Sequence, residues 1–319
     1  MCIRDRDMRC KFCSKKPVVR VRYANLTLCR DHFIEYFEKR VKRTIERYKM
    51  IREGERICCA VSGGKDSAVM LYVLKKLCKN VEIQALHLNL GIGDYSKKSV
   101  KKTIELCRQL DVEVEVVDIA KEYGFTIDLI KKLERKIKRP ICSACGLIKR
   151  YLMNRYCYEN GFDKLATGHN LDDEAANILS NYISGDVELL ARGGPVQKRT
   201  HPKLIPRIKP LYEVSEKETF LYAELMHVPY LIDECPYSYG APNLLLKTII
   251  AEVEDARPSS RISLVRNFVK RIKPALEEYT TKNTCEKHHV KECSICGMPT
   301  STSTCAFCRF VERVKTLSS

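Results

Sequence analysis

The feature that most constrains the fold of this chain is a short glycine loop that joins an apolar run, residues 57–61, to a helical pattern. The loop reads Ser-Gly-Gly-Lys-Asp-Ser at positions 62–67. Glycines let the backbone turn tightly and bring its N–H groups against an anion, and the N-terminus of the helix adds partial positive charge. The pattern predicts an anion-binding loop formed by Ala60, Val61, Ser62, Gly63, Gly64, Lys65, Asp66 and Ser67.

The loop does not have Walker spacing, which requires Gly, four residues, and then Gly-Lys-Ser/Thr. It resembles instead the PP-loop of the ATP pyrophosphatase superfamily, which splits ATP into AMP and pyrophosphate while adenylating a substrate oxygen. The alternative interpretation is a plain glycine-rich turn. Residues 54–235 alternate short apolar runs with helical patterns, which is typical of a parallel α/β sheet. We therefore expect a Rossmann-like α/β domain that binds ATP.

A second segment, residues 166–174, supports a nucleotide site. A short strand ends at Gly168, which would let the nucleotide approach the backbone. Asp172 and Asp173 then open a helix, and we predict that they hold Mg²⁺ or orient phosphates, because Mg²⁺ prefers one or two carboxylates together with phosphate oxygens. Simple capping of the helix dipole is the alternative. His87, at the end of the second strand, is predicted to face the same crevice, although a structural role is equally compatible with its position.

Seventeen cysteines in a chain without an apparent secretory signal indicate metal or thiol chemistry in a reducing cytoplasm, and argue against a disulfide scaffold. Two cysteine sets have the spacing of tetrahedral structural zinc, with a redox dithiol as the alternative for each. The first set is Cys10, Cys13, Cys29 and His32, and the second is Cys293, Cys296, Cys305 and Cys308.

Cys142 and Cys145 form a separate pair at the start of a predicted helix, and Cys235 is the comparably placed candidate downstream. Three thiolates fit a [4Fe–4S] cluster in which one iron has no protein ligand and could carry sulfide. A nucleophile–disulfide pair that carries a persulfide is the alternative, and a buried structural pair is a third reading. Lys149 lies one helical turn after Cys145, so it projects from the same face and could neutralise phosphate or a tetrahedral intermediate.

The charge balance is 57 basic against 40 acidic residues, a net charge of +17, which favours a polyanionic partner such as nucleic acid. No apolar run reaches the roughly 18 residues that a membrane span requires. Residues 1–7 look like a translation or assembly scar before a second start at Met8. We predict an N-terminal zinc module with a basic helix, a catalytic domain, a helical extension and a C-terminal zinc module at residues 8–50, 51–240, 241–284 and 285–319, respectively.

Hydrophobic periodicity gives an element map against which the structure can be compared. Strands are predicted at residues 56–61, 81–88, 112–117 and 164–167. Helices are predicted at residues 33–48, 67–77, 97–110, 127–138, 142–158, 172–182 and 244–276. Residues 193–210 are rich in Pro, Gly and basic side chains and are predicted to form a surface loop, and residues 279–291 a polar linker.

In this order along the chain, the motifs resemble those of the TtuA group within the TtcA/TtuA tRNA 2-thiolation family, from Met8 to about Arg313. The resemblance includes both zinc-type sets and the Ser-Gly-Gly-Lys-Asp-Ser loop. It also includes Cys-Ser-Ala-Cys-Gly at 142–146 with Lys149, Gly-His-Asn-Leu-Asp-Asp-Glu-Ala at 168–175, and Glu-Cys-Pro-Tyr-Ser at 234–238.

The resemblance implies a tRNA uridine 2-sulfurtransferase that adenylates O2 of the base and replaces it with sulfur. It implies that Cys142, Cys145 and Cys235 carry an oxygen-sensitive [4Fe–4S] cluster, and that Lys149 and Asp173 act in catalysis. It also implies a homodimer, a target at position 54 of the T-loop, and sulfur from the thiocarboxylate of a ubiquitin-like carrier protein. Free sulfide is the alternative donor.

Other functions remain open at this stage. Residues 190–195, 235–241 and 305–309 look more like the T-loop enzymes, whereas residues 256–259 look more like the relatives that thiolate the wobble uridine at position 34. A PP-loop ligase of the lysidine synthetase type shares the loop but has no use for the three cysteines. A non-enzymatic class is a zinc-module RNA-binding protein with a vestigial loop.

Overall fold

A computed structural model of the chain describes residues 9–238, 242–283 and 290–318. The predicted scar at residues 1–7 and the second start at Met8 lie outside the described residues. The same is true of residues 239–241, part of a segment that carries the family resemblance, and of residues 284–289 in the predicted linker.

The N-terminal part of the chain is a hairpin followed by a long helix. The hairpin consists of β1 (Val19–Val21) and β2 (Leu26–Leu28), and α1 (Arg30–Arg47) follows it. The apolar side chains Phe33, Phe37 and Val41 recur along one face of α1 and are fully buried. They belong to the same core as one face of the central sheet, so this module is packed against the main domain.

The central part alternates strands and helices, as predicted. Its elements are β3 (Arg56–Ala60), α2 (Lys65–Leu77), β4 (Glu82–Asn89), α3 (Gly93–Leu110), β5 (Val114–Asp118), α4 (Ile119–Tyr123), α5 (Ile127–Lys132), α6 (Glu134–Ile137), α7 (Ile141–Glu159), β6 (Lys164–Thr167), α8 (Leu171–Ile183), α9 (Val187–Arg192), β7 (Val196–Gln197), β8 (Arg207–Ile208) and α10 (Glu216–Leu225).

These strands form one six-stranded sheet in the order β5-β4-β3-β6-β8-β7. All neighbouring pairs are parallel except β7 and β8. The chain moves from β3 outward through β4 and β5, then crosses to the other side of β3 to form β6. The carboxyl ends of β3 and β6 therefore flank a topological switch point, where ligands of open α/β sheets bind. The predicted α/β fold with a mostly parallel sheet is confirmed.

Two hydrophobic cores cover the two faces of the sheet, and successive residues of β3 face different cores, as the strand period requires. Cys59 lies in the core that includes α1 and α2, whereas Cys58 lies in the core that includes α7. Phe307 and Phe310 near the C-terminus join the second core. Burying each of these large side chains stabilises the fold by about 2 kcal/mol.

The described C-terminal part contains four α-helices, a π-helical turn and a small hairpin. Its elements are α11 (Pro242–Ala256), α12 (Ser260–Asn267), a π-helical turn (Phe268–Ile272), α13 (Lys273–Asn283), β9 (Lys291–Glu292), β10 (Pro299–Thr300) and α14 (Ala306–Ser318). No helix within the described ranges is long and apolar enough to cross a membrane.

Four predicted elements differ from the structure. The polar linker predicted at 279–291 is partly wrong, because α13 continues as far as Asn283. The helix predicted at 127–138 is divided into α5 and α6 at Leu133, and the carboxylate of Glu134 accepts the backbone N–H of Ile141 at 2.7 Å. The helix predicted at 244–276 is interrupted beside Pro258, which cannot continue a helix. Ser259 there has a left-handed φ of 82°, and its N–H donates to Glu254 at 2.8 Å.

The surface loop predicted at residues 193–210 is partly wrong, because this stretch contributes β7 and β8 to the sheet. Ile205 and Ile208 are buried within it. Two-residue strands are too short to produce a period in the sequence, so the Pro, Gly and Lys residues around them dominated the prediction.

Candidate active site

The glycine loop follows β3 and leads into α2, so it lies at the predicted carboxyl edge of the sheet. The Ser67 hydroxyl accepts the Ser62 N–H at 3.1 Å and donates to the Gly64 carbonyl at 2.9 Å, which closes the turn. Gly63 has φ +85°, and a Cβ there would lie 2.9 Å from Ser99 Cβ. The loop therefore requires glycine at this position and backs against α3.

His87 lies beneath the loop and not on its open side. The ring is buried, with 1% of its surface exposed, and its Nδ1 is hydrogen-bonded to the Val61 carbonyl at 2.8 Å. Burial lowers the pKa of His87, which favours the neutral ring that donates this bond. The structure thus places His87 where it orients the strand end that enters the loop.

Gly168 lies where β6 comes closest to the same loop. A Cβ at this position would lie 2.7 Å from the Ser67 nitrogen and 2.8 Å from Ser67 Cα. The sequence predicted that a glycine here lets the nucleotide approach the backbone. In the structure it lets two protein segments approach each other, which brings the ends of β3 and β6 together.

The two carboxylates that open α8 have different surroundings. Asp172 is buried, accepts the backbone N–H of Glu216 at 2.8 Å and pairs with Arg261. Asp173 accepts the Asn170 N–H at 3.0 Å in a reciprocal capping box, and its other oxygen lies 2.5 Å from the Lys247 ammonium. Asp173 therefore both caps α8 and forms an ion pair, whereas Asp172 anchors the C-terminal helices through Arg261.

Charged side chains from four elements meet beside the loop. Lys65 lies 3.0 Å from Asp66 and 3.7 Å from Glu216, and Lys247 lies 3.1 Å from the other oxygen of Glu216. Burial raises the pKa of Asp66, and the negative charges of Asp173 and Glu216 add to this effect. Glu216 and Lys247 were not predicted as site residues.

Cys142, Cys145 and Cys235 are neighbours in the structure, although Cys235 is remote in sequence. Cys142 is exposed and its thiol lies 3.4 Å from the Tyr237 carbonyl, while the other two thiols are half-buried. Burial raises the pKa of Cys145, the Lys149 ammonium opposes this, and negative charge at Cys235 and Cys142 adds to it. Lys149 therefore lies on the same helix face as Cys145, as its spacing predicts.

The segment that carries Cys235 is tied directly to the glycine loop. The Leu231 N–H donates to the Gly63 carbonyl at 2.8 Å, and the Lys98 ammonium pairs with Asp233 at 2.6 Å. The Tyr237 hydroxyl donates to Asp128 at 2.6 Å on the other side of the segment. The segment that carries Cys235 is therefore held against the predicted nucleotide loop.

The two zinc-type sets each assemble four ligands. His32 Nδ1 lies 3.3 Å from the sulfurs of Cys10 and Cys29, and the Cys13 and Cys29 sulfurs are 3.7 Å apart. In the C-terminal set, Cys296 and Cys305 sulfurs are also 3.7 Å apart. Zinc–sulfur bonds of about 2.3 Å in a tetrahedron place sulfurs about 3.8 Å apart. Both sets therefore fit zinc.

The three thiols beside the loop fit a larger group. Within the described ranges, the two zinc-type sets are the groups whose ligand atoms all lie within 4.8 Å of one another, and the Cys142, Cys145 and Cys235 set is not among them. A [4Fe–4S] cluster binds each thiolate at a different iron, so its ligands must be more widely spaced than those of one zinc ion. Three soft sulfur donors, each free to bind a different iron, are consistent with such a cluster.

Two family models match this chain. The PP-loop domain matches residues 34–239, and the N-terminal LIM domain of the 2-thiouridine synthetase TtuA matches residues 9–34. The tRNA-5-methyluridine(54) 2-sulfurtransferase of Pyrococcus horikoshii is 46% identical over 303 residues, which cover 95% of this chain and 93% of the relative. The chain belongs to the TtuA-type family of PP-loop tRNA 2-thiouridine synthetases.

Other members of this family show how widely the whole architecture is shared. The tRNA-5-methyluridine(54) 2-sulfurtransferase of Thermus thermophilus is 40% identical over 96% of this chain and 92% of its own length. The solved structure of the U34-tRNA thiolase NcsA from Methanococcus maripaludis with its [4Fe–4S] cluster is 31% identical. It superposes with a TM-score of 0.79 and covers 96% of both chains.

Proposed function

We propose that this family member is an ATP-dependent tRNA-5-methyluridine(54) 2-sulfurtransferase. The observation that carries the proposal is the hydrogen bond between Leu231 and Gly63, because it joins the segment of Cys235 to the loop that would bind ATP. A lysidine-type ligase needs the loop alone, and an RNA-binding module needs neither. A thiolase needs both in one crevice.

The reaction requires two displacements, the first at the α-phosphorus of ATP and the second at C2 of the base. Uridine O2 attacks the α-phosphorus of ATP, a new O–P bond forms, and pyrophosphate leaves with the electron pair of the broken P–O bond. A sulfide-level sulfur then adds to C2, and AMP leaves with the original oxygen. The sulfur has the same oxidation level before and after, so the exchange needs no external oxidant. When bound, the [4Fe–4S] cluster supplies an iron at which sulfide can be delivered.

Different residues of this chain would bind ATP and stabilise the addition of sulfur. Lys65 and the amides of the glycine loop hold the ATP phosphates, and Asp173 orients them, directly or through Mg²⁺. Lys149, beside Cys145, stabilises the negative charge that develops when sulfur adds to C2. The base must leave its stack to reach the crevice, as in other enzymes that act on bases.

The tRNA is proposed to bind across the basic surface that gives the chain its net charge of +17. The N- and C-terminal modules, each with one structural Zn²⁺, flank the catalytic domain and would help to grip the tRNA. Their four-ligand geometry leaves no open position, so we assign them no chemical step. The domain boundaries at residues 50, 240 and 284 belong to this proposal.

The sulfur donor, assembly and location are also proposals. A ubiquitin-like carrier with a C-terminal thiocarboxylate is the proposed donor, with free sulfide as the alternative, and the cytoplasm is the proposed location. Leu245, Ile249 and Val253 form an exposed apolar row along α11, a face that a second copy of the chain would bury in the homodimer.

Position 54 is preferred to position 34 as the target. The relatives from Pyrococcus horikoshii and Thermus thermophilus, at 46% and 40% identity, are named for position 54. The Haloferax volcanii tRNA 2-thiolation protein NcsA is only 32% identical over 97% of this chain. The segment at residues 256–259, which resembles the wobble-uridine enzymes, lies at the junction of α11 and α12 in the structure.

The test is anaerobic reconstitution of the full chain with iron and sulfide, followed by reaction with ATP and tRNA. Mass spectrometry of the nucleosides from tRNAs altered at position 54 or at position 34 identifies the target. We expect 2-thioribothymidine, lost only when position 54 is changed. Thiolation that depends on position 34 would move the protein to the wobble-uridine group, and AMP formation without any thiolation would exclude a thiolase.

A further inference from the structure

Two lysines lie on opposite oxygens of a single carboxylate beside the glycine loop. Lys65 of the loop is 3.7 Å from Glu216 Oε1, and Lys247 of α11 is 3.1 Å from Glu216 Oε2. Lys65 belongs to the predicted phosphate site, whereas Lys247 comes from the helical extension that follows the catalytic domain. Both ammonium groups therefore lie beside the same carboxylate, at the edge of the predicted phosphate site.

Ion pairs, and not apolar packing, hold the Lys247 ammonium in this position. Its side chain keeps 26% of its surface exposed and pairs with Asp173 at 2.5 Å as well as with Glu216. Burial opposes the charge of Lys247, but Asp173 and Glu216 outweigh burial and raise its pKa, so the ammonium is charged at neutral pH.

A different residue already anchors the extension. Arg261 of α12 pairs with the buried Asp172 and lies 3.7 Å from Glu254, and only 11% of its side chain is exposed. A second ion pair at Lys247 would add less stability than the buried Arg261 pair, because 26% of the Lys247 side chain and 24% of the Asp173 side chain stay exposed to screening by solvent. The location of Lys247 is better explained by a ligand.

We propose that Lys247 is a second phosphate-binding lysine, which contacts the β- and γ-phosphates of ATP opposite Lys65. The inference rests on the proposed use of ATP. A lysine that pairs with carboxylates can exchange them for phosphate oxygens, because ammonium donors bind both kinds of anion. Lys65 is in the same situation, since it pairs with Asp66 and Glu216 in the structure. The helical extension would then contact the nucleotide only when its β- and γ-phosphates are present.

The test compares ATP and AMP binding to the full chain by calorimetry with Mg²⁺ present and without tRNA. Lys247→Met removes the ammonium and keeps the length of the side chain, and Lys247→Arg keeps the charge. Lys217→Met is the matched control, because Lys217 is exposed and directly follows Glu216 in the chain.

We expect Lys247→Met to weaken ATP binding about 10- to 100-fold, the cost of a lost hydrogen bond to a charged group. AMP binding should change by less than about twofold, because AMP lacks the phosphates that Lys247 contacts. Lys247→Arg should recover most of the ATP affinity, and Lys217→Met should bind both nucleotides like the unaltered chain.

Two outcomes would overturn the proposal. Unchanged ATP affinity in Lys247→Met would mean that no contact is made, and an equal loss for ATP and AMP would assign Lys247 a structural role. The readout does not depend on sulfur transfer. If the unaltered chain failed to thiolate tRNA but still showed the ATP-specific loss in Lys247→Met, the proposed function would fall and this inference would stand.

Discussion

The two zinc-type sets, called closed sets below, differ from the trio of Cys142, Cys145 and Cys235 in what surrounds their sulfur atoms. In the N-terminal set, three thiols lie within 3.5 Å of His32 Nδ1, so the ligands contact one another. Cys142 of the trio instead has the Tyr237 carbonyl as its neighbour at 3.4 Å. Four ligands that converge on one point suit a single ion. Three that face a crevice leave room for a reactant.

The thiol pKa values show the same contrast. Burial opposes ionisation of Cys10 and Cys293, but backbone N–H groups lower the pKa of each to about 6. Within the same C-terminal set, burial and the Cys305 thiol raise the pKa of Cys308. Each set therefore has at least one thiol whose ionisation the fold favours, whereas the Cys308 thiol needs a nearby cation to ionise. In the trio, burial raises the pKa of Cys145 and Lys149 is the opposing charge.

The largest expected effect separates these two kinds of site. Alanine at Cys142, Cys145 or Cys235 should lower the thiolation rate by about 10³-fold or more, because each removes a ligand of the group that delivers sulfur. Iron content after anaerobic reconstitution and 2-thionucleoside yield measure the effect. ATP affinity should stay within about twofold, since none of the three side chains belongs to the loop. Full thiolation by any of these variants would contradict the cluster assignment.

Removing a ligand from a closed set should affect folding instead of chemistry. We expect Cys293→Ala to lose one of two zinc ions and to destabilise the protein by about 3 kcal/mol or more. Zinc content by mass spectrometry and the denaturation midpoint test this. A variant that kept its stability but lost thiolation would mean that the closed sets also take part in the reaction.

The separation of the closed sets from the reactive site could be predicted from the sequence because local motifs mark each of them. Ligand spacing identifies both closed sets, and the strand–loop–helix pattern around Lys65 identifies the nucleotide loop. The strands predicted at 56–61, 81–88, 112–117 and 164–167 are present within two residues, since each has a clear apolar run. Two-residue strands such as β7 and β8 have no such pattern, and the prediction failed there.

The remaining site residues could not be predicted from the sequence because they come from distant elements. Glu216 begins α10, where Ser215 and Glu218 form a capping box, a pattern that reveals the helix start but not its neighbours. Lys247 is a single cation in an apolar helix, which a sequence pattern cannot distinguish from a solvated side chain. His87 has a clear position on β4, but only the fold reveals that its ring lies beneath the loop.

The adjacent carboxylates Asp172 and Asp173 test the contrast between closed and open surroundings within one helix turn. Asp172→Asn leaves Arg261 with only the longer contact to Glu254 and should cost about 3 kcal/mol of stability. Asp173→Asn keeps an oxygen for the cap and should change stability by less than about 1 kcal/mol, but should slow thiolation about 100-fold. Denaturation midpoints and single-turnover thiolation rates measure the two effects. If both variants lost stability and rate to the same extent, the two carboxylates would not differ in role.

The smallest effect should come from two glycines of the same site, one against packed backbone and one facing open space. A Cβ at Gly168 would lie 2.7 Å from the Ser67 nitrogen, so Gly168→Ala must separate β6 from the loop at a cost of about 2 kcal/mol. A Cβ at Gly64 meets only the Ser62 hydroxyl at 3.6 Å, and Gly64 has an ordinary φ of −77°. Gly64→Ala should therefore cost less than about 1 kcal/mol. Denaturation midpoints measure both changes, and equal midpoints would mean that the strand and the loop can separate freely, so that ATP binding would not depend on their close contact.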